Sequence, residues 1–130
     1  MFKVLICGGR DLYDFMSQEI AEELVNYTLS SLKVSPEKEE TIFISGMAKG
    51  ADQIPVRMIQ NDPGWGGLEE YYAEWSKYGN RAGPLRNIRM LEEGKPDLVI
   101  AFPTPSSRGT HHMIKISQDA GVRTVVHYAE

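Results

Sequence analysis

The chain alternates short apolar runs with longer stretches in which apolar side chains recur at helical spacing. Residues 2–7 (Phe2, Lys3, Val4, Leu5, Ile6, Cys7) form a mostly apolar run that stops at Gly8-Gly9. That is the pattern of a buried parallel strand ending in a functional loop. Between 14 and 32, Met16, Ile20, Leu24, Thr28 and Leu32 recur at every fourth position, and Val25 and Leu29 widen the stripe. The spacing predicts an amphipathic helix with Asp14 as its N-cap. Residues 35–40 are polar, carry a proline and read as an exposed connection. A second β-branched run over 41–45 ends at Gly46. A helix over 51–59 follows, and Pro55 fits it only in the first turn, where a missing N–H costs little. Turn formers crowd 61–67, and 68–72 reads as a further strand. Leu85, Ile88 and Leu91 predict a helix over 81–93, closed near Gly94. Apolar strands over 97–102 and 122–127 flank a last helix over 109–120.

Strands alternating with helices imply βαβ units. The expected fold is α/β, a single three-layer Rossmann-like domain over 1–130 with a mainly parallel sheet of about five strands. Composition agrees with this and narrows the partners. The 130 residues are 42% hydrophobic and 25% charged, ordinary for a soluble globular chain. A net charge of -4 advertises no broad basic surface for a nucleic-acid backbone. The single cysteine excludes an internal disulfide and a thiolate metal cage, and no metal site is expected. The chain opens directly on a strand pattern without a signal-peptide arrangement, and no apolar stretch has the length of a membrane span. The cytoplasm is therefore the expected location.

Three strand ends run into loops rich in glycine or small residues: Gly8-Gly9-Arg10, Ser45-Gly46-Met47-Ala48-Lys49-Gly50, and Ser106-Ser107-Arg108-Gly109-Thr110. Ligands of open α/β sheets bind beyond the carboxyl ends of the strands, where strand order reverses. Glycines allow close backbone approach, and helix N-terminal N–H groups favour anions. Any one such loop could simply close a tight connection; three on one edge point to a phosphate-bearing ligand. Arg10, directly after two glycines, is assigned to that ligand. Lys49 and Arg108 fit either a phosphate contact or a solvated loop charge. Neither the GxGxxG dinucleotide fingerprint nor the Walker pattern is present.

These blocks carry a resemblance. Cys7-Gly8-Gly9-Arg10-Asp11, Ser45 through Asp52, Trp75 with Tyr78-Gly79, Ala82 through Met90, and Ala101-Phe102-Pro103 through Gly109-Thr110 resemble the YspA branch of the YpsA-related SLOG family. The blocks come in the family's order over nearly the whole chain. The resemblance implies a Rossmann-like fold and a nucleotide or nucleotide-derived ligand, with members acting as sensors or, in the related LOG (Lonely Guy) phosphoribohydrolases, as enzymes. The LOG motif Arg-Lys-x-x-Met corresponds to Arg86-Asn87-Ile88-Arg89-Met90, and Pro-Gly-Gly-x-Gly-Thr-x-x-Glu to Pro103 followed by Gly109-Thr110-His111-His112-Met113. Met113 thus stands where the enzymes carry glutamate. A thioether neither transfers a proton nor stabilises the oxocarbenium character of N-glycosidic cleavage.

The remaining candidates each carry two readings. Asp52 is the leading catalytic candidate, although an Asp at a helix start more often serves as a cap or orienting group. Arg86 and Asn87, polar residues opening an apolar-striped helix, are expected to converge on the glycine loops. On the last helix His111 is expected to touch the ligand and His112 the solvent; adjacent side chains diverge by about 100° and suit one metal ion poorly. Cys7 reads as a small buried apolar residue, and His127 as structural. Trp75, Tyr78 and Tyr72 have the shape to stack on a base, yet large aromatics more often pack in cores or subunit contacts. The expectation is a binder of a nucleotide-type small molecule that requires no cofactor; the alternative is a nucleotide hydrolase using Asp52, Asp11 or Asp14. The relation of SLOG folds to the DNA-processing protein DprA raises DNA binding, against which the acidic charge argues. A homo-oligomer is implied by the resemblance, with Tyr71 or Trp65 as exposed contacts.

Overall fold

Alternation along the strands splits the core into two layers. In β1 (Phe2–Gly8), Val4 and Ile6 face one side of the sheet while Leu5 and Cys7 face the other. β2 (Thr41–Ser45) and β4 (Leu98–Phe102) do the same, with Phe43, Leu98, Ile100 and Phe102 on the first face and Ile44, Val99 and Ala101 on the second. A strand apolar on both faces needs cover on both. The computed structural model, which describes residues 1–129, supplies it. α1 (Gln18–Ser30) and α2 (Ile54–Asn61) cover the first face through Ala21, Val25, Ile54 and Met58. α4 (Ala82–Glu92) and α5 (Arg108–Asp119) cover the second through Met90 and Met113.

With β3 (Gly67–Glu70) and β5 (Arg123–Val126), the sheet has five strands in the order β3-β2-β1-β4-β5. All pairings are parallel. The protein has a Rossmann-like α/β fold, and its strand order reverses between β1 and β4. β1 pairs Val4 through Gly8 with Leu98 through Phe102, so both strands end together at the carboxyl edge. No helix among the described residues is long and apolar enough to cross a membrane.

Several local expectations are corrected. Asp14 does not cap α1. It closes a 3-10 turn, Leu12–Asp14, and the cap is Ser17, whose Oγ accepts the Ile20 N–H at 3.1 Å. Nor does the buried stripe of α1 include Ile20, which is exposed; it follows Ala21, Val25, Thr28 and Leu29, with Leu24 packed beside them. On α4, Ile88 is likewise exposed, and the inward face is Gly83, Asn87 and Met90. Pro55 lies in the first turn of α2 as expected, after a 3-10 turn at Gly50–Gln53. A further short helix, α3 (Trp75–Tyr78), leads through a 3-10 turn into α4. Beyond α4 the left-handed residue is Lys95, φ 51°, and not Gly94; Gly94 is glycine because a Cβ would strike the Met90 carbonyl.

Candidate functional site

The carboxyl ends of β1 and β4 open into a cleft of about 1210 Å³. Its walls come from four segments far apart in sequence. The first loop contributes Gly8, Gly9 and Arg10, the second Lys49, Gly50 and Asp52, α4 Arg86 and Asn87, and the third loop Ser107, Arg108, Gly109 and Thr110. An adjoining pocket of about 310 Å³ takes in Gly46 and Met47, and shares Arg10, Lys49, Trp75 and Arg86 with the main cleft. Three candidate residues lie elsewhere. Ser45 is buried beneath the second loop, and the Pro103 carbonyl accepts the Ala129 N–H. His111 is exposed on the outer side of α5, while His112 lines the cleft with its Nδ1 at 3.2 Å from Asn87 Nδ2. This reverses the expectation for the two histidines: the rotation of α5 that buries Thr110, Met113 and Ser117 leaves His111 exposed and sets His112 on the cleft.

The loops are held by one another. A Cβ on Gly50, φ +83°, would run into the Gly9 carbonyl, which accepts the Ala51 N–H at 3.1 Å. Asp11 ties the first loop to the third: its carboxylate accepts the Thr104 hydroxyl at 2.6 Å and that of Ser106 at 3.1 Å. The Thr104 bond holds its pKa below the ordinary value. In the second loop the Ser45 hydroxyl donates to the Asp52 carbonyl at 2.7 Å and accepts the Met47 N–H at 3.1 Å. Met47 itself adopts φ 59°, a conformation that costs a residue with a Cβ of order 1 kcal/mol or more.

The electrostatic centre is Asp52. It is 6% exposed, and one carboxylate oxygen accepts the Ala48 N–H at 3.1 Å. Burial pushes its pKa up to about 6, against the pull of Arg86, the Ala48 bond and Arg10. Arg86 is half-buried and donates from Nη1 to the Gly46 carbonyl at 2.8 Å. Burial lowers the pKa of this guanidinium, against the raising pull of Asp52. Asn87 Nδ2 donates to the Gly109 carbonyl at 3.2 Å, joining α4 to the start of α5.

Cys7, Met90 and Met113, all buried, also line the cleft. Burial and the Asp52 charge push the Cys7 thiol far up, so it stays protonated and is no nucleophile. Among the described residues no group of three or more His, Cys, Asp or Glu is placed to hold a metal ion.

Sequence reasoning missed Arg57 and Tyr13, which face the cleft together with the guanidinium carbon 4.6 Å from the ring centroid. Neither lies in a glycine loop or a motif block; only the packing of α2 against the first loop brings them there. Five of the 14 Lys and Arg residues thus line the cleft (Arg10, Lys49, Arg57, Arg86, Arg108), against three of the 18 Asp and Glu (Asp11, Asp14, Asp52). None of the five makes an ion pair among the described residues.

The chain is 35% identical over 92 residues to the Gene 61 protein of Mycobacterium phage D29, a match covering 65% of this chain and 69% of the phage protein. No family model and no solved structure matches the chain. At that identity and coverage, this α/β chain with its cationic cleft belongs to the family of the phage D29 Gene 61 protein.

Proposed function

We propose that the protein binds a nucleotide or nucleotide-derived, phosphate-bearing ligand in this cleft, as a sensor, carrier or sequestering protein of the SLOG type. The observation that carries the reading is the excess of unpaired cations in the cleft of an otherwise acidic chain. Such a concavity focuses field lines and raises the local concentration of anions. The strand-order reversal at β1 and β4 lies where open α/β sheets take their ligands. Met113 on the floor favours binding over turnover, since the position that resembles the LOG glutamate offers no carboxylate. The test is a thermal-shift and calorimetric panel of nucleoside monophosphates, ADP-ribose and NAD, on the wild type and on Arg86→Ala. A stabilising shift with at least one of them, weakened in Arg86→Ala, supports the reading. No shift across the panel would remove it.

A hydrolase of a nucleotide N-glycosidic or phosphate bond is the second reading, favoured by one observation. Asp52 is a buried carboxyl on the cleft wall with a pKa of about 6, suited to proton transfer near neutrality. Chromatography of nucleoside monophosphates and NAD after incubation with the protein decides between the two readings; turnover lost in Asp52→Asn would establish the enzyme.

We further propose a cytoplasmic location, no required cofactor, and neither nucleic acid nor membrane as partner. A homo-oligomeric state is proposed on the resemblance alone. Trp65 and Tyr71 are half-buried and poorly placed for a subunit contact, whereas Ile88, Tyr27 and Tyr128 are exposed and supply apolar surface for one.

A further inference from the structure

Trp75 stands at the mouth of the cleft and lines both the main volume and the adjoining pocket. Its side chain is left 48% exposed. The other tryptophan, Trp65, is instead packed on Phe43, with ring centroids 4.9 Å apart. Two neighbours flank Trp75. Its ring edge lies against α4 at Gly83, where a Cβ would sit 3.4 Å from Cη2. The Arg10 guanidinium carbon lies 5.6 Å from the ring centroid. Aromatic residues commonly bury about 150–250 Å² each. An indole half exposed beside Arg10, Lys49 and Arg86, which make no ion pair among the described residues, offers a flat contact surface, and a planar ring is the shape that covers it best.

We propose that Trp75 is the stacking platform for the base of the ligand, and that Arg10 joins this base subsite to the phosphate subsite. The proposal rests on the nucleotide reading of the cleft and sharpens it. Recognition would lie in the aromatic ring as well as the anion, so the ligand class is phosphate esters that carry a planar heteroaromatic group. Sugar phosphates without a base would make only the electrostatic half of the contact. Arg10 suits both halves: its backbone follows Gly9 in the first loop while its guanidinium reaches the indole. A guanidinium pairs with phosphate oxygens through its edge and with π systems through its face.

The experiment titrates the full chain with adenosine 5′-monophosphate and, in parallel, with ribose 5-phosphate, by calorimetry and by tryptophan fluorescence. The wild type is expected to prefer the nucleotide by about tenfold or more, the usual size of one stacking contact. The nucleotide, and not the sugar phosphate, should quench the Trp75 emission. Trp75→Ala should reduce the preference to within about twofold, and Trp75→Phe, which keeps a ring, should retain part of it. A preference undiminished in Trp75→Ala overturns the proposal. So does a loss of both ligands in proportion, which would mark Trp75 as structural. Equal binding of the two ligands by the wild type removes the base subsite while leaving the anion cleft standing; binding of neither overturns the base subsite, and the anion cleft then falls only if ADP-ribose and NAD also fail to bind.

Discussion

Gly109 has open space around it: a Cβ there would meet nothing within 4 Å, and its φ is not in the left-handed region. Neither turn geometry nor packing calls for glycine in this first turn of α5, where alanine is the better helix former. Gly109 is exposed and lines the cleft, so a side chain there would project into open space at its edge. Gly109→Ala is therefore expected to stabilise the free protein by about 0.5 kcal/mol while weakening ligand binding. Denaturant unfolding paired with an ADP-ribose titration reads both signs. Gly50→Ala should do the opposite, costing about 2 kcal/mol or more, because it combines a positive φ with a clash against the Gly9 carbonyl. Asp52 makes its own prediction. Its folded pKa, about 6, is raised from an ordinary 3.8, so folding favours the protonated form. The associated stability is complete below the unfolded value and lost as pH rises through about 6, on the order of 3 kcal/mol in all. The melting temperature of Asp52→Asn relative to wild type should accordingly climb between pH 4 and 6.5 and level off above. Over the same range, protonation of Asp52 makes the cleft more cationic, so under the proposed function any affinity for ADP-ribose, whose diphosphate does not titrate there, should increase as pH falls.

At the scale of elements, α1 shows what a cap does. Ser17 supplies the side-chain acceptor at a helix start, so Ser17→Ala should cost about 1 kcal/mol, measurable as a fall in the denaturation midpoint with an unchanged slope. Asp14 was the sequence's candidate for that position because the apolar period could be extended back to Met16. The 3-10 turn at Leu12–Asp14 interrupts the helix there, a feature that periodicity cannot register. α4 misled in another way. Leu85, Ile88 and Leu91 are spaced as a core stripe, yet the face turned inward carries Gly83, Asn87 and Met90. The N-terminal half of the helix packs over the cleft, where small and polar side chains such as Gly83 and Asn87 face inward, while Met90, with Leu91 packed beside it, covers the sheet. The central strands were plain, because being apolar on both faces leaves no alternation to misread and the glycines that end β1 and β2 are unmistakable. Most candidate cleft residues were legible for the same reason: they sit where strands end in glycine loops. Arg57 and Tyr13 were not, since their place depends on how α2 lies across the first loop.

At the scale of the whole molecule, the segments that meet at the site are drawn from its full length. Asp11 reaches Thr104 across 93 positions and Ser106 across 95, Arg86 reaches Gly46 across 40, and Asn87 reaches Gly109 across 22. This follows from the reversal of strand order between β1 and β4, which sets the first strand beside the fourth. The kinetic consequence is that the cleft is among the last features the chain completes. Helices form from near neighbours in microseconds, whereas contacts of long separation must first overcome the entropy of closing large loops. In refolding from denaturant, helical circular dichroism should recover before binding of whichever nucleotide of the proposed panel the native protein takes, and a stopped-flow comparison of the two signals would show the lag. Binding competence would then certify a finished fold, since a chain that stalled with only β1 to β3 assembled would hold two of the three glycine loops and lack the third.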